Sequence, residues 1–275
     1  MKIFIKKIFK KPIKKIFKKP IKKIFKKNVN NKICFVSTYI GNAEFAEGNN
    51  YFKKNPNYDY LFFTNLDKSY YNKSSWNIVN ININDIELIK NISSNVKISR
   101  YFKFMVNDYI TKYLKKQYDY IFYCDCWLSP KYNVNWNMLC TKINKSKFGI
   151  MQYKHQCWKK GINGDLKQIV KIKKDTSINI NKTKLFLKKI NKHVNFNKPI
   201  YFENAIFGIS TKKNNVKNFL EEYWKYYLEC PTYRDQPLWN FLLLKNNVKP
   251  VIQNLKSFFT GKKILNRNIK HYKSK

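Results

Sequence analysis

Residues 118–130 read Tyr-Asp-Tyr-Ile-Phe-Tyr-Cys-Asp-Cys-Trp-Leu-Ser-Pro. So continuous a run of aromatic and β-branched side chains predicts a buried strand, with residues 126–130 as its exit loop. An ionised Asp125 at that exit is costly to bury unless a partner meets it. In open α/β sheets ligands gather at the carboxyl ends of the strands, where a carboxylate suits a metal-bound phosphate or a sugar hydroxyl. The plainer alternative is that Asp125 caps the following turn.

The rest of the chain alternates strand and helix patterns. Strands are expected at 33–40, closed by Gly41-Asn42, at 58–65 and at 76–80. From 96 to 114, Ile98, Phe102, Met105, Tyr109 and Tyr113 fall at the three- and four-residue spacing of one amphipathic helix. Beyond the 118 strand come a helix at 136–143, a strand at 148–152 and a basic, irregular helical stretch at 165–192. A strand at 204–210, helices at 216–228 and 235–244, and a last strand at 250–253 complete the series. This alternation predicts an α/β fold, its mainly parallel sheet covered by helices on both faces.

Short motifs punctuate this order. Ser99-Arg100-Tyr-Phe-Lys103-Phe precedes the 118 strand; Gln152-Tyr-Lys-His155-Gln-Cys-Trp158 follows it; Arg234-Asp235-Gln236 opens a late apolar helix. The ordered series resembles the TOD1/MUCI70-like glycosyltransferase family, formerly a domain of unknown function. There too an Arg-x-x-Lys helix precedes a Tyr-Asp-Tyr strand ending in a single Asp, and an Arg-Asp-Gln comes near the end. The resemblance spans about residues 33 to 252 and implies a GT-A-like, Rossmann-like fold. It also implies a nucleotide-sugar donor and a glycan or lipid-linked acceptor.

On the donor side the candidates are Thr38 and Tyr39 at the end of the first strand, Asn65 at the end of the second, and Asp125. Tyr39 could stack on a base, or be an ordinary strand-end aromatic. Arg100 and Lys103, three apart, share a helix face and would offset a diphosphate, Arg through its bidentate fork. Asp235, expected across the cleft from Asp125 on the acceptor side, is the candidate catalytic base, with Glu203 in reserve; His155, Glu203, Arg234 and Gln236 are acceptor or phosphate candidates. Asp235 also suits a helix N-cap, with Pro237 in the first turn and Arg234 pairing with it.

GT-A enzymes usually carry Asp-x-Asp, whereas this chain has Cys124-Asp125-Cys126. Asp119, six residues back, cannot converge with Asp125 at the strand end. A Mn2+ or Mg2+ at Asp125, with His271 as a late ligand, and a metal-independent mechanism using basic side chains both stay open. Cys124-x-Cys126 lacks a second pair, so zinc is not expected.

The formal net charge of the 275-residue chain is +40. Nucleic acid is one partner for such charge, but no zinc finger or RNP-type strand is recognisable, which weighs against it. Much of the excess follows from a composition crowded with Lys, Asn and Ile. Residues 6–27 instead repeat Lys-Lys-Ile-Phe-Lys-Lys-Pro-Ile twice in full and once in part, and residues 1–27 hold thirteen lysines. Pro12 and Pro20 break any helix there into short pieces. Lys pairs attract anionic lipid and the Ile-Phe pairs can enter the headgroup region, so this segment is expected to tether the chain peripherally to an anionic membrane. A tail without a role is the alternative.

No stretch of about 18 apolar residues predicts a membrane span, and the first residues lack a secretory h-region. Six scattered cysteines point to a reducing compartment, hence a cytoplasmic, membrane-associated protein. The expected division is a Lys-rich tail over 1–29, one GT-A-like domain over 30–265 and a basic tail over 266–275. The rival functional reading is a catalytically inactive basic α/β module binding anionic membrane or nucleic acid.

Overall fold

The computed structural model describes residues 31–261. The repeat segment, the expected boundary at 265 and His271 lie outside the described residues.

In chain order the elements are β1 (Ile33–Tyr39), β2 (Asp59–Thr64), β3 (Asn77–Asn80), α1 (Asn95–Phe104), α2 (Val106–Tyr113), β4 (Tyr120–Cys124), β5 (Leu128–Pro130) and α3 (Trp136–Lys145). There follow β6 (Ile150–Lys154), α4 (Gly161–Lys171), α5 (Ser177–Ile190), β7 (Phe202–Ser210), α6 (Asn214–Glu229), α7 (Asp235–Lys245), β8 (Val251–Ile252) and β9 (Phe259–Gly261). Seven strands form one sheet in the order β3-β2-β1-β4-β7-β6-β8. Only β7 runs against the others, pairing antiparallel with both β4 and β6. The expected mainly parallel sheet is therefore present.

Strand alternation sorts the side chains into two cores, one on each face of the sheet. Along β4, Ile121 and Tyr123 join the core built with α1, α2, α6 and α7, while Tyr120, Phe122 and Cys124 join the core containing Trp136 and Leu139 of α3. β1 and β2 divide the same way, with Cys34, Val36, Leu61 and Phe63 on the first side and Phe35, Tyr60 and Phe62 on the second. Burial on both faces is why these strands read as unbroken apolar runs.

Four expectations need correction. The helix expected over 96–114 is two helices, interrupted at Met105 (φ −102°, ψ 13°). The bend lets Phe102 of α1 and Tyr109 of α2 both close on Phe63, with ring centroids 5.3 and 5.4 Å from it. The basic stretch at 165–192 is likewise two helices, and the first begins earlier, at Gly161. Gly161 has φ +59°, and a Cβ there would lie 2.6 Å from the Lys198 carbonyl oxygen, so only glycine starts this helix without strain. The exit loop after Asp125 contains β5, which pairs with β9 in a separate two-stranded sheet. The strand expected at 204–210 starts two residues sooner, at Phe202. The six cysteines are scattered through the fold, and all but Cys126 are buried. Among the described residues no helix is long and apolar enough to cross a membrane.

Candidate functional site

β1 has β2 on one side and β4 on the other, so the chain changes direction across the sheet between β1 and β4, the kind of place where open α/β sheets bind ligands. A cavity of about 490 Å3 opens there, within the size range of small-molecule sites. Thr38 borders it from β1, Arg100 and Lys103 from α1, Asp125 from the end of β4, and Asp235 and Gln236 from the start of α7. Because β7 is antiparallel, its beginning lies beside the end of β4. The Asp125 amide donates to the Ala205 carbonyl at 2.9 Å, and this pairing brings Glu203 and Asn204 to the same cavity.

The Asp125 side chain does not cap the turn that follows. Its Oδ1 accepts from the Tyr123 hydroxyl at 3.1 Å and lies 3.5 Å from Lys103 Nζ; the turn is closed by its backbone carbonyl, which accepts from Leu128 N at 2.8 Å. Both side-chain contacts fall on Oδ1, which leaves Oδ2 for a ligand. Lys103, only 3% exposed, is not the solvated lysine that a Lys-rich chain leads one to expect. Its ammonium is shared, reaching Asp235 Oδ2 at 3.0 Å as well.

Asp235 departs most from expectation. Arg234 occupies the N-cap position and Asp235 is the first residue of α7, with no side-chain cap hydrogen bond. Its carboxylate instead meets Arg100 Nε at 3.5 Å, Lys103 at 3.0 Å and Asn204 Nδ2 at 3.4 Å. Behind Asn204 a buried relay continues, Gln152 Nε2 donating to Asn204 Oδ1 at 2.8 Å and Trp239 Nε1 donating to Gln152 Oε1 at 2.9 Å. Burial would raise the Asp235 carboxyl, but Lys103, Arg100 and Arg234 outweigh it and hold the group well below the ordinary carboxylate range. A carboxylate so stabilised is a poor proton acceptor. Lys103 thus joins Asp235 and Asp125 in one ion cluster, with Asp235 at its buried end.

Glu203 has the opposite character. Burial, and then the neighbouring charge of Asp125, push its carboxyl up. Its Oε1 accepts from the Asn204 and Ala205 amides at 3.1 and 3.3 Å, and its Oε2 lies 3.4 Å from His155 Nε2. His155 Nδ1 accepts from Cys157 N at 3.0 Å, and burial lowers its pKa, so the ring is neutral with its proton on Nε2, directed at Glu203.

Thr38, Arg100, Lys103, Asp125, His155, Glu203, Arg234, Asp235 and Gln236 thus converge on one cavity. Two donor-side candidates do not. The Tyr39 hydroxyl turns back to the Asn42 carbonyl at 3.0 Å, and Asn65 brackets the Gly41 backbone through both its amide atoms. Both hold the 41–42 turn in place.

Glu47, Asp165 and Lys174 also border the cavity and escaped the sequence reading. They come from a loop without periodicity, a basic helix and the turn after it. The relay left a better trace: Gln152 and Asn204 are amides inside apolar strands, positions that demand a buried partner. His155, Cys157 and Asp165 place potential metal ligands within 4.8 Å of one another. His155 Nδ1 is already bonded to Cys157 N and Asp165 Oδ2 to the Tyr201 hydroxyl at 2.6 Å, so the trio reads as a hydrogen-bonded support.

No family model and no curated protein matches the sequence. Among solved structures, the chain is similar to WbbM, a bifunctional glycosyltransferase in its apo form, at 13% identity and a TM-score of 0.50. The similarity covers 82% of this chain but 39% of that one. What the two share is a GT-A-like α/β fold.

Proposed function

We propose that the chain is a nucleotide-sugar-dependent glycosyltransferase of the hexosyltransferase type, allied to the family its motif series resembles, acting on a glycan or lipid-linked acceptor. The observation that carries this reading is Asp125, held at the end of β4 by Tyr123 and Lys103 with Oδ2 left for a ligand, beside a second carboxyl of raised pKa in Glu203. The GT-A-like fold shared with a glycosyltransferase supports it.

In this reading Asp125 orients the donor, and Arg234 and Lys174, which also border the cavity, supply cationic charge toward it. Transfer breaks the bond between the sugar's anomeric carbon and the diphosphate oxygen and forms one to an acceptor oxygen. The diphosphate leaves with the bonding electrons. For an inverting transfer the acceptor's proton passes to Glu203, whose raised pKa brings it closer to the working range of a general base. His155 fixes Glu203 by donating to Oε2.

The donor chemistry of the site fits a hard divalent cation. Arg100, Lys103, Lys174 and Arg234 face five carboxyls, Glu47, Asp125, Asp165, Glu203 and Asp235, so the lining has no cationic surplus for a diphosphate. Mg2+ and its like are commonly held by one or two carboxylates with substrate phosphates completing the shell. Asp125 would hold a Mn2+ or Mg2+ here, and the ion would offset the charge gathering on the departing diphosphate.

Thermal shift and calorimetry with UDP-, GDP- and CMP-sugars, with and without Mn2+, test the reading. Stabilisation by one nucleotide class, and loss of transfer in a folded Asp125→Asn variant, are expected. Full activity in that variant removes Asp125 from the site. Indifference to every nucleotide favours the inactive binding module instead.

A further inference from the structure

Beside the cavity rim lies a surface that the ion cluster does not use and that the proposed chemistry touches only at Lys174. α4 ends at Lys171, and Ile172, which borders the cavity, is 42% exposed. α5 then presents Ile178 and Leu185 to solvent, 66% and 69% exposed. These two residues are seven apart, on one face of the helix, and each is followed four residues later by an exposed lysine, Lys182 and Lys189. Residues 171–192 contain eight lysines against one acidic residue, Asp175. That aspartate is occupied locally, its Oδ2 accepting from Thr232 Oγ1 at 2.6 Å and its Oδ1 from the Thr176 amide at 2.7 Å. The Thr232 contact ties the α4–α5 turn to the segment that carries Arg234. The patch is therefore fixed to the wall of the cavity.

We propose that this face of α5, with the α4–α5 turn, docks on an anionic lipid bilayer and sets the cavity mouth against the membrane. Large aliphatic side chains flanked by lysines are what an interfacial helix offers a bilayer: the apolar groups enter the acyl boundary while the lysine stems snorkel to the phosphates. A second copy of the chain is the wrong occupant, since apposing two such faces would bring like charges together. Nucleic acid would leave the aliphatic groups without a function, because bases stack on aromatic rings. The orientation rests on the cavity being the transfer site, and it gives a lipid-linked acceptor a short path to Asp125. Vesicle binding is measured without turnover, so the docking surface and the transferase reading can fail separately.

The test uses the full chain and its Ile178→Ser/Leu185→Ser variant, with vesicles of phosphatidylcholine alone or with phosphatidylglycerol. The substitutions leave every lysine in place, including those of the N-terminal segment, and both sites are exposed enough that the melting temperature is expected to stay unchanged. At about 0.5 M salt, where the screening length is about 4 Å, tail electrostatics are suppressed and binding depends on apolar insertion. The wild-type chain is expected to stay bound to phosphatidylglycerol vesicles and the variant to bind at least about tenfold more weakly. Equal binding of the two would overturn the proposal, as would a wild-type chain that ignores both vesicle types. So would self-association that the variant abolishes while vesicle binding persists.

Discussion

Asp235 and Glu203 show how two carboxyls in one cavity acquire different tasks. Removing the charge of Asp235 strands Lys103 and Arg100 in a buried site, so Asp235→Asn is expected to destabilise the fold by about 3–5 kcal/mol at neutral pH. An aspartate held below its unfolded value stabilises the fold fully above the unfolded pKa of about 3.9 and loses that contribution as pH falls toward the folded value. The gap between wild type and variant should therefore be full at pH 7 and begin to close below about pH 4 in denaturant titrations. Glu203→Gln should lower turnover by about 10²–10⁴-fold with donor affinity retained. In the wild type, the acidic limb of kcat/KM should lie above the ordinary glutamate range, because the carboxyl that must lose its proton is the one whose pKa is raised. That Asp125, Arg100 and Lys103 would border one cavity was legible because strand ends and three-residue spacing are local properties. The cap that Asp235 also suggested is not formed, and its partners were hidden because Lys103 and Arg100 lie more than 130 residues earlier in the chain.

At the scale of elements, periodicity located the strands and helices but could not orient them. A run such as Asn204-Ala-Ile-Phe-Gly-Ile-Ser reads the same in either direction, and only pairing makes β7 antiparallel. That reversal carries Glu203 to the site. The break at Met105 was equally hidden, since the apolar spacing continues through it without a proline or glycine. Gly208 of β7 is a position where backbone and ring meet closely: a Cβ there would lie 2.6 Å from Cε1 of the fully buried Phe122. Gly208→Ala is expected to cost about 1–3 kcal/mol through overpacking, measurable as a lowered denaturation midpoint with an unchanged slope.

For the whole molecule, composition and order were enough to indicate a covered, mainly parallel sheet; the ion cluster was not legible, because it joins α1, β4, β7 and α7 across long chain separations. The overall charge says less than its arrangement. The cavity lining balances cations against carboxyls, while lysine excess gathers in residues 1–27 and along α5. Deleting residues 1–27 should remove the low-salt, charge-driven part of vesicle binding and leave nucleotide-sugar binding unchanged; loss of the latter in calorimetry would show that the segment serves the site. The alternation of β4 between two cores also limits how this chain can vary in length. Losing one residue from β4 would move every later side chain of the strand to the opposite face, exchanging the members of the two cores. Losing two would restore the faces but draw Asp125 back by about 6.6 Å, out of reach of Lys103. Shortening β4 by one residue or by two would thus break either the two cores or the contact that holds Asp125.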